Sequence, residues 1–207
     1  MSAIAVIGAT GRTGRMIVDQ ALARGHHVTA IVRRTATLAP APGLTVATAD
    51  PTLPGALNGL LDHHDVVISA LGATGRGPTT LYSDSTAAII TALKPGSRLL
   101  VISSAGVSIP PDAGFVTRLH TRLLHRIMRE VYTDMERMEQ QLAHSRLRWT
   151  AVRPTRLTDD PAAGLGRISL GAKAKVGPRT ARADLANYLL DAIDDPRTHR
   201  VPVAISS

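Results

Sequence analysis

Seven residues near the start of the chain, Gly8-Ala9-Thr10-Gly11-Arg12-Thr13-Gly14, have the types and spacing of an anion cradle. Gly8 allows a sharp exit from a strand, Gly11 lets the backbone approach a pyrophosphate, and Gly14 lets a following helix pack closely on that strand. The first amides of the helix then face the anion. The spacing is GxxGxxG, whereas the strict dinucleotide fingerprint is GxGxxG, so the surrounding elements must carry the reading. Nineteen residues beyond Gly14, where an NAD-binding chain tends to hold a carboxylate for the ribose 2′-hydroxyl, stand Arg33 and Arg34. Guanidinium forks there suit a 2′-phosphate, and Arg12 adds a charge from the turn, so the expected cofactor is NADP(H).

Residues 3–7 are a short apolar run ending at Gly8, Met16, Ile17, Gln20, Ala21 and Leu22 keep helical spacing up to Gly25, and 27–32 alternates with β-branched residues. Together they predict a βαβ unit with parallel strands. The alternation continues with a strand over 44–49, a short helix over 53–61, a strand over 66–71, a helix over 80–93 and a strand over 98–103. A long amphipathic helix over 116–143, a strand over 149–153, a helix over 184–193 and a closing strand over 201–205 follow. Right-handed crossovers then place helices on both faces of a parallel sheet: an α/β, Rossmann-type doubly wound fold, with residues 1–207 as a single domain. Residues 155–178, rich in glycine and without a sustained period, read as a loop-rich substrate flap.

Ligands of such a sheet bind at the carboxyl ends of the strands, which gathers Gly8, Arg33, Asp50, Gly72, Ser104 and Pro154 on one rim. Ser104 is therefore a candidate catalytic contact to a substrate carbonyl or flavin edge, with capping of its own turn as the alternative. Tyr82, at the start of a helix beside the rim, is the second candidate, with simple packing as the alternative. The segment Gly72-Ala73-Thr74-Gly75-Arg76 echoes the first turn, and either a shared need for small residues at a cofactor or coincidence accounts for it.

Composition removes several classes of function. The 207 residues are 44% hydrophobic with one Trp, one Phe and three Tyr, so the core is built from Ala, Val, Leu and Ile and an aromatic nucleic-acid surface is not expected. No cysteine is present, which excludes disulfides and thiolate metal sites. The eight histidines form no metal-ligating spacing, Asp159-Asp160 reads as a polar turn, and no Gly-x-Ser-x-Gly elbow occurs. No stretch approaches the roughly 18 apolar residues of a membrane span, so a cytoplasmic protein is expected. The net charge of +8 is mostly arginine. Arg118, Arg122, Arg126 and Arg129 recur at helical spacing and read as a solvated face, with an anion-attracting mouth, a subunit contact or a nucleic-acid patch as alternatives. The oligomeric state stays open.

The chain resembles the atypical short-chain dehydrogenase/reductase family, in its NmrA-like and biliverdin reductase B (flavin reductase)-like branch, over nearly its whole length. Val6-Ile7-Gly8-Ala9-Thr10-Gly11 with Gly14, 67–72, 101–106, Trp149-Thr150-Ala151-Val152-Arg153-Pro154 and 182–186 carry the likeness. The resemblance implies cofactor contacts at Thr10, Gly11, Arg12, Thr13, Gly14 and Arg33, with Asp50 near the adenine. It also implies Leu71 and Gly72 along the ribose, Ser103 and Ser104 near the nicotinamide, and Pro154 closing that end. Dehydrogenases of the wider superfamily use a Tyr-x-x-x-Lys pair in which lysine lowers the tyrosine pKa. Here Tyr132 is followed four residues later by Glu136. The expectation is an NADPH-dependent reductase acting on a flavin, a quinone or a similar conjugated small molecule, since such acceptors need little acid catalysis. A non-catalytic NADP(H) sensor of the NmrA type is the first alternative. An epimerase or biosynthetic ketoreductase using Tyr82 or Tyr132 as acid is the second.

Overall fold

A computed structural model describes residues 1–34, 38–75, 77–107, 126–172 and 174–207. Eight strands form the main sheet: β1 (Ala3–Ile7), β2 (His27–Val32), β3 (Leu44–Thr48), β4 (Val66–Ser69), β5 (Arg98–Ile102), β6 (Arg148–Pro154), β8 (Arg167–Leu170) and β10 (Val201–Ser206), in the order β3-β2-β1-β4-β5-β6-β10-β8. All neighbours are parallel except β8, which runs antiparallel to β10 at one edge. The strand order reverses beside β1, so the crevice that takes ligands in this architecture opens between the ends of β1 and β4.

Alternation along the strands divides the core in two. Ile4 and Val6 of β1 pack with Ile17, Val18 and Ala21 of α1 (Arg12–Ala23) and with Leu185, Ala186 and Leu189 of the last helix. Ala5 and Ile7 face Tyr82 and Ile89 of α2 (Leu81–Ala92) and Met135, Met138 and Leu142 of α3 (Arg129–His144). Every residue from Ile4 to Ile7 is fully buried, as expected of a central parallel strand covered on both sides. The helix that completes the first layer is α4 (Arg182–Asp191).

Three expectations change. Residues 53–61 form successive turns rather than a helix, with bonds from Ala56 N to Leu53 O (3.2 Å), Asn58 N to Gly55 O (3.1 Å) and Leu60 N to Leu57 O (3.1 Å). Gly55 and Gly59 both take φ of +76°, which no α-helix accommodates, while Leu57 and Leu61 still reach the core. The long helix is described from Arg129 onward. Its expected earlier part, with Arg118, Arg122, His120 and His125, lies outside the described residues, as does Arg76; Arg126 and Arg129 are exposed. The span 155–178 is not all loop, because β7 (Arg156–Thr158) pairs in parallel with β9 (Arg179–Ala181) and β8 joins the main sheet. Strands of three or four residues are too short to establish a period, and β8 exposes Ile168 and Leu170 while burying Ser169 between them.

Arginines bolt the amino-terminal end of the sheet to the helices. Arg98, 2% exposed, donates from Nε to Ile193 O (3.1 Å), from Nη2 to Ala192 O (2.7 Å) and Thr198 Oγ1 (2.8 Å), and from Nη1 to Arg148 O (2.7 Å). Burial pushes its guanidinium down to about 10, which leaves it cationic at neutral pH beside the carbonyl end of α4. Arg200 does the same for α3, donating to Ser145 O (2.8 Å), Leu147 O (3.3 Å) and Ala143 O (3.1 Å).

His64, just before β4, pairs through Nε2 with Thr29 Oγ1 (2.8 Å), and its other ring nitrogen is buried. Burial, more than the neighbouring His63, holds its pKa below the ordinary 6.5. The unfolded chain therefore binds this proton more readily than the folded one. Stability is full above pH 6.5 and declines as pH falls toward the folded value. Urea unfolding at several pH values should show this acid limb, and His64→Gln should reduce it, leaving the share owed to His199, which burial also lowers.

Candidate functional site

The glycine turn lies where β1 hands over to α1. Gly8 takes φ of +82°, and a Cβ there would stand 2.9 Å from the carbonyl oxygen of Ala70, the residue after β4. A Cβ on Gly14 would overlap the Gly8 carbonyl oxygen, so α1 rests directly on the turn. Gly11 N donates to Gly8 O (3.0 Å), and Arg15 N makes the first helical bond to Gly11 O (2.9 Å). Gly11 is the N-cap and has no side chain to cap the amides, and no acidic residue occupies the first turn. Uncapped amides at an exposed helix start, with no carboxylate of their own, fit an anion from outside. Thr10 and Gly11 are exposed, whereas Thr13 is buried beneath the turn.

The structure brings the other rim residues to neighbouring strand ends. Arg33 and Arg34 follow β2 and are exposed. Asp50 follows β3, and its Oδ1 accepts from Thr52 N (3.0 Å) and Thr52 Oγ1 (2.7 Å). Those bonds hold its carboxyl below the usual range, with a smaller contribution from the charge on Arg33. Leu71 is half-buried and Gly72 is exposed past β4; Pro154 is buried at the end of β6. None of the residues gathered here lines the groove of about 1050 Å³ beside α4, whose walls include Arg24, Ile168, Leu170, Tyr188 and Asp195.

The two catalytic candidates have different surroundings. Tyr82 is 5% exposed, and its hydroxyl accepts from Ala73 N (3.0 Å), so it ties α2 to the loop after β4; burial raises its phenol. The start of α2 is in turn held by Asp134 of α3, fully buried, whose carboxylate accepts from Tyr82 N (2.8 Å) and from Ser83 Oγ. Ser104 Oγ accepts from Gly106 N (3.1 Å), the local turn cap that the sequence left open, and it also bonds to the Tyr132 hydroxyl. That hydroxyl lies so close over Gly106 that a Cβ there would overlap it. Burial raises the Tyr132 phenol, opposed by the Ser104 bond. Glu136, in the place of a lysine, is exposed.

Ser103 turns toward α3, not toward solvent: its hydroxyl donates to Glu139 Oε1 (2.6 Å). Arg153 pairs with the same carboxylate, from Nε to Oε1 (3.0 Å) and from Nη2 to Oε2. Leu99 and Val101 on β5 and Trp149 and Ala151 on β6 form the apolar rows facing α3, and Ser103 and Arg153 end those rows in a polar contact. Asp134, Glu139 and Asp159 went unread in the sequence as parts of this region. Tyr132 and Glu139, seven residues apart and hence on one helix face, were the available signal. Among the described residues no group of side chains could hold a metal ion, and no helix is long and apolar enough to cross a membrane.

A Cβ at Gly14 meets rigid backbone, so Gly14→Ala should cost about 2 kcal/mol or more of stability. Gly72 has open space around its Cβ position, and Gly72→Ala should stay within about 0.5 kcal/mol of the parent. Urea titration followed by the fluorescence of the single, buried Trp149 compares the two.

Known proteins agree with this geometry. A family profile described as NAD(P)H-binding matches residues 8–196. The uncharacterised protein YwnB of Bacillus subtilis is 28% identical over 202 residues, spanning 93% of this chain and 92% of that protein. A Streptococcus pneumoniae protein provisionally named an NADH-flavin reductase superposes with a TM-score of 0.78 at 23% identity, covering 100% of each chain. A short-chain dehydrogenase/reductase of Veillonella parvula, solved in complex with NADP, also gives 0.78 at 20% identity, covering 100% of this chain and 95% of that one. At these identities the structural likeness establishes the fold.

Proposed function

This chain belongs to the NAD(P)H-binding family, and we propose that it is an oxidoreductase that uses NADPH to reduce a flavin, a quinone or a similar conjugated small molecule. The observation that carries the choice of acceptor is the state of Tyr132. Its hydroxyl is held at the rim by Ser104, burial raises its pKa more than that bond lowers it, and Glu136 stands four residues on, where the wider superfamily carries the lysine that would lower it. A phenol in that state is a weak general acid at neutral pH. Flavins and quinones take hydride at a stacked face and collect their proton from water, so positioning and exclusion of solvent suffice.

NADPH supplies the hydride when bound; the chain supplies the cradle and the direction. The uncapped amides of Arg12, Thr13 and Gly14 receive the pyrophosphate, and the exposed guanidiniums of Arg33 and Arg34 receive the 2′-phosphate. Asp50 would serve the adenine end, Leu71 and Gly72 the ribose, and Ser104 and Pro154 the nicotinamide end, while the Ser103 hydroxyl stays on Glu139. Ser104 and Tyr132 together offer a hydroxyl pair to a polar edge of the acceptor. A pure sensor of NADP(H) would share the cradle, but a hydroxyl pair seated on a backbone glycine at the rim favours catalysis.

Calorimetric titration should show NADPH bound more tightly than NADH, and Arg33→Ala should weaken NADPH by about tenfold or more while leaving NADH nearly unchanged. Oxidation of NADPH against a panel of flavins and quinones tests the activity itself, and inactivity with all of them would refute it. Tyr132→Phe should slow the active acceptor by less than about tenfold, against the 10²–10⁴-fold expected where a general acid is removed.

A further inference from the structure

One carboxylate outside the rim joins the glycine turn to the segment after β7. Asp159 Oδ2 accepts from Arg12 Nη1 (2.9 Å) and Asp159 Oδ1 from Arg182 Nη1 (2.7 Å). Arg12 is the first residue of α1 and Arg182 the first of α4, and neither helix has a side-chain cap at its N-cap. A cation at a helix start opposes the helix dipole, so both arginines place positive charge on already positive ends. Asp184, in the first turn of α4, turns its oxygens to Gly164 N (2.9 Å) and Ser207 Oγ (2.6 Å). Among the described residues, Asp159 is the carboxylate that pairs with both guanidiniums.

The two contacts are unequal. The Arg182 side chain is 10% exposed and anchors the carboxylate, whereas that of Arg12 is 71% exposed. An exposed ion pair is the one that water, salt and a competing anion weaken. The competing anion has a defined place, since the amides of Arg12, Thr13 and Gly14 open beside the same guanidinium.

We propose that Asp159 sets the affinity of the dinucleotide site: its carboxylate holds Arg12, and the segment that follows β7, in the cofactor-free protein, and yields Arg12 to the cofactor's phosphates on binding. The proposal rests on the dinucleotide reading given above. With Arg12 paired through Nη1 to Asp159, an incoming pyrophosphate meets a carboxylate one guanidinium away, which repels it and competes with it for the arginine. Arg182 keeps its half of the contact, so the segment loosens at one end only.

The test is calorimetric titration of NADPH into the whole chain and its variants Asp159→Asn and Asp160→Asn, with thermal melts confirming folding. Asp160 is the exposed neighbour, and its substitution makes the same change in net charge without breaking the pair. Asp159→Asn should bind NADPH about three- to tenfold tighter at low salt, Asp160→Asn should stay within about twofold, and the gap should narrow at high salt. Amides following Asp159 should exchange faster when NADPH is added to the parent protein. Unchanged or weaker binding by Asp159→Asn, or equal tightening by both variants, overturns the proposal, and weaker binding would mean that Arg12 bridges carboxylate and phosphate together. A parent protein that binds neither NADPH nor NADH overturns the dinucleotide reading itself, whatever the variant does.

Discussion

The backbone contact among Gly8, Gly14 and Ala70 sets the geometry on which the rest depends. Three segments that are distant or differently structured, the end of β1, the first turn of α1 and the chain leaving β4, meet there without a side chain between them. A helix so close to a strand end has its axis and its first amides aimed at one point in space, and that point is the crevice where the strand order reverses. Loosening the contact by a methyl group would shift α1 off β1 and move the amides together with Arg12. Site and core share this contact, which explains why backbone packing too close for a Cβ lies beside exposed polar groups.

The basic balance of the chain has a structural destination as well as a functional one. Arg98 and Arg200 spend their donors on carbonyls at the ends of α4 and α3, and Arg148 Nε reaches Gly96 O (2.5 Å) at the same end of the sheet. Cations placed against helix carbonyl ends are favourable, and buried carbonyls left unpaired are costly. Arg33 and Arg34, in contrast, are exposed at the opposite, ligand-facing end. The charge is therefore divided: one set of arginines closes the amino-terminal end of the fold, and another is exposed at the rim. Net charge read from composition cannot make that division, because it is set by which end of each strand an arginine occupies.

The parts of the fold legible in the sequence were those with local causes. The βαβ unit from β1 to β2 was readable because apolar runs, glycines and helical spacing all changed at the same residues. The turns over 53–61 were not, since Leu57 and Leu61 sit four apart as in a helix and the positive φ of Gly55 and Gly59 leaves no trace in periodicity. The candidate site divides in the same way. Gly8, Gly11, Gly14 and Arg33 are near in sequence to the elements that place them. Asp134 caps a helix 52 residues earlier through Tyr82 N, and Asp159 reaches Arg12 across 147 residues. Such pairings depend on which helices share a face, and a single sequence does not contain that information.

The pairing of Ser104 with Tyr132 shows how far geometry constrains chemistry when burial sets the acidity of the phenol. The hydroxyls are held together, the close seat on Gly106 fixes the phenol, and the serine turn is fixed by Gly106 N. Positioning of this quality is what proton transfer needs, yet proton transfer also needs a pKa near the working pH. Burial moves the phenol away from that range, and the carboxylate of Glu136 occupies the sequence position where a lysine would move it back. The Glu139 carboxylate, two turns beyond Tyr132 along α3, accepts from Arg153 and Ser103. A well-placed weak acid can orient an acceptor and donate a hydrogen bond to it without giving up its proton. An acceptor that stabilises the incoming electron pair by conjugation asks for no more than that, and a simple carbonyl asks for more.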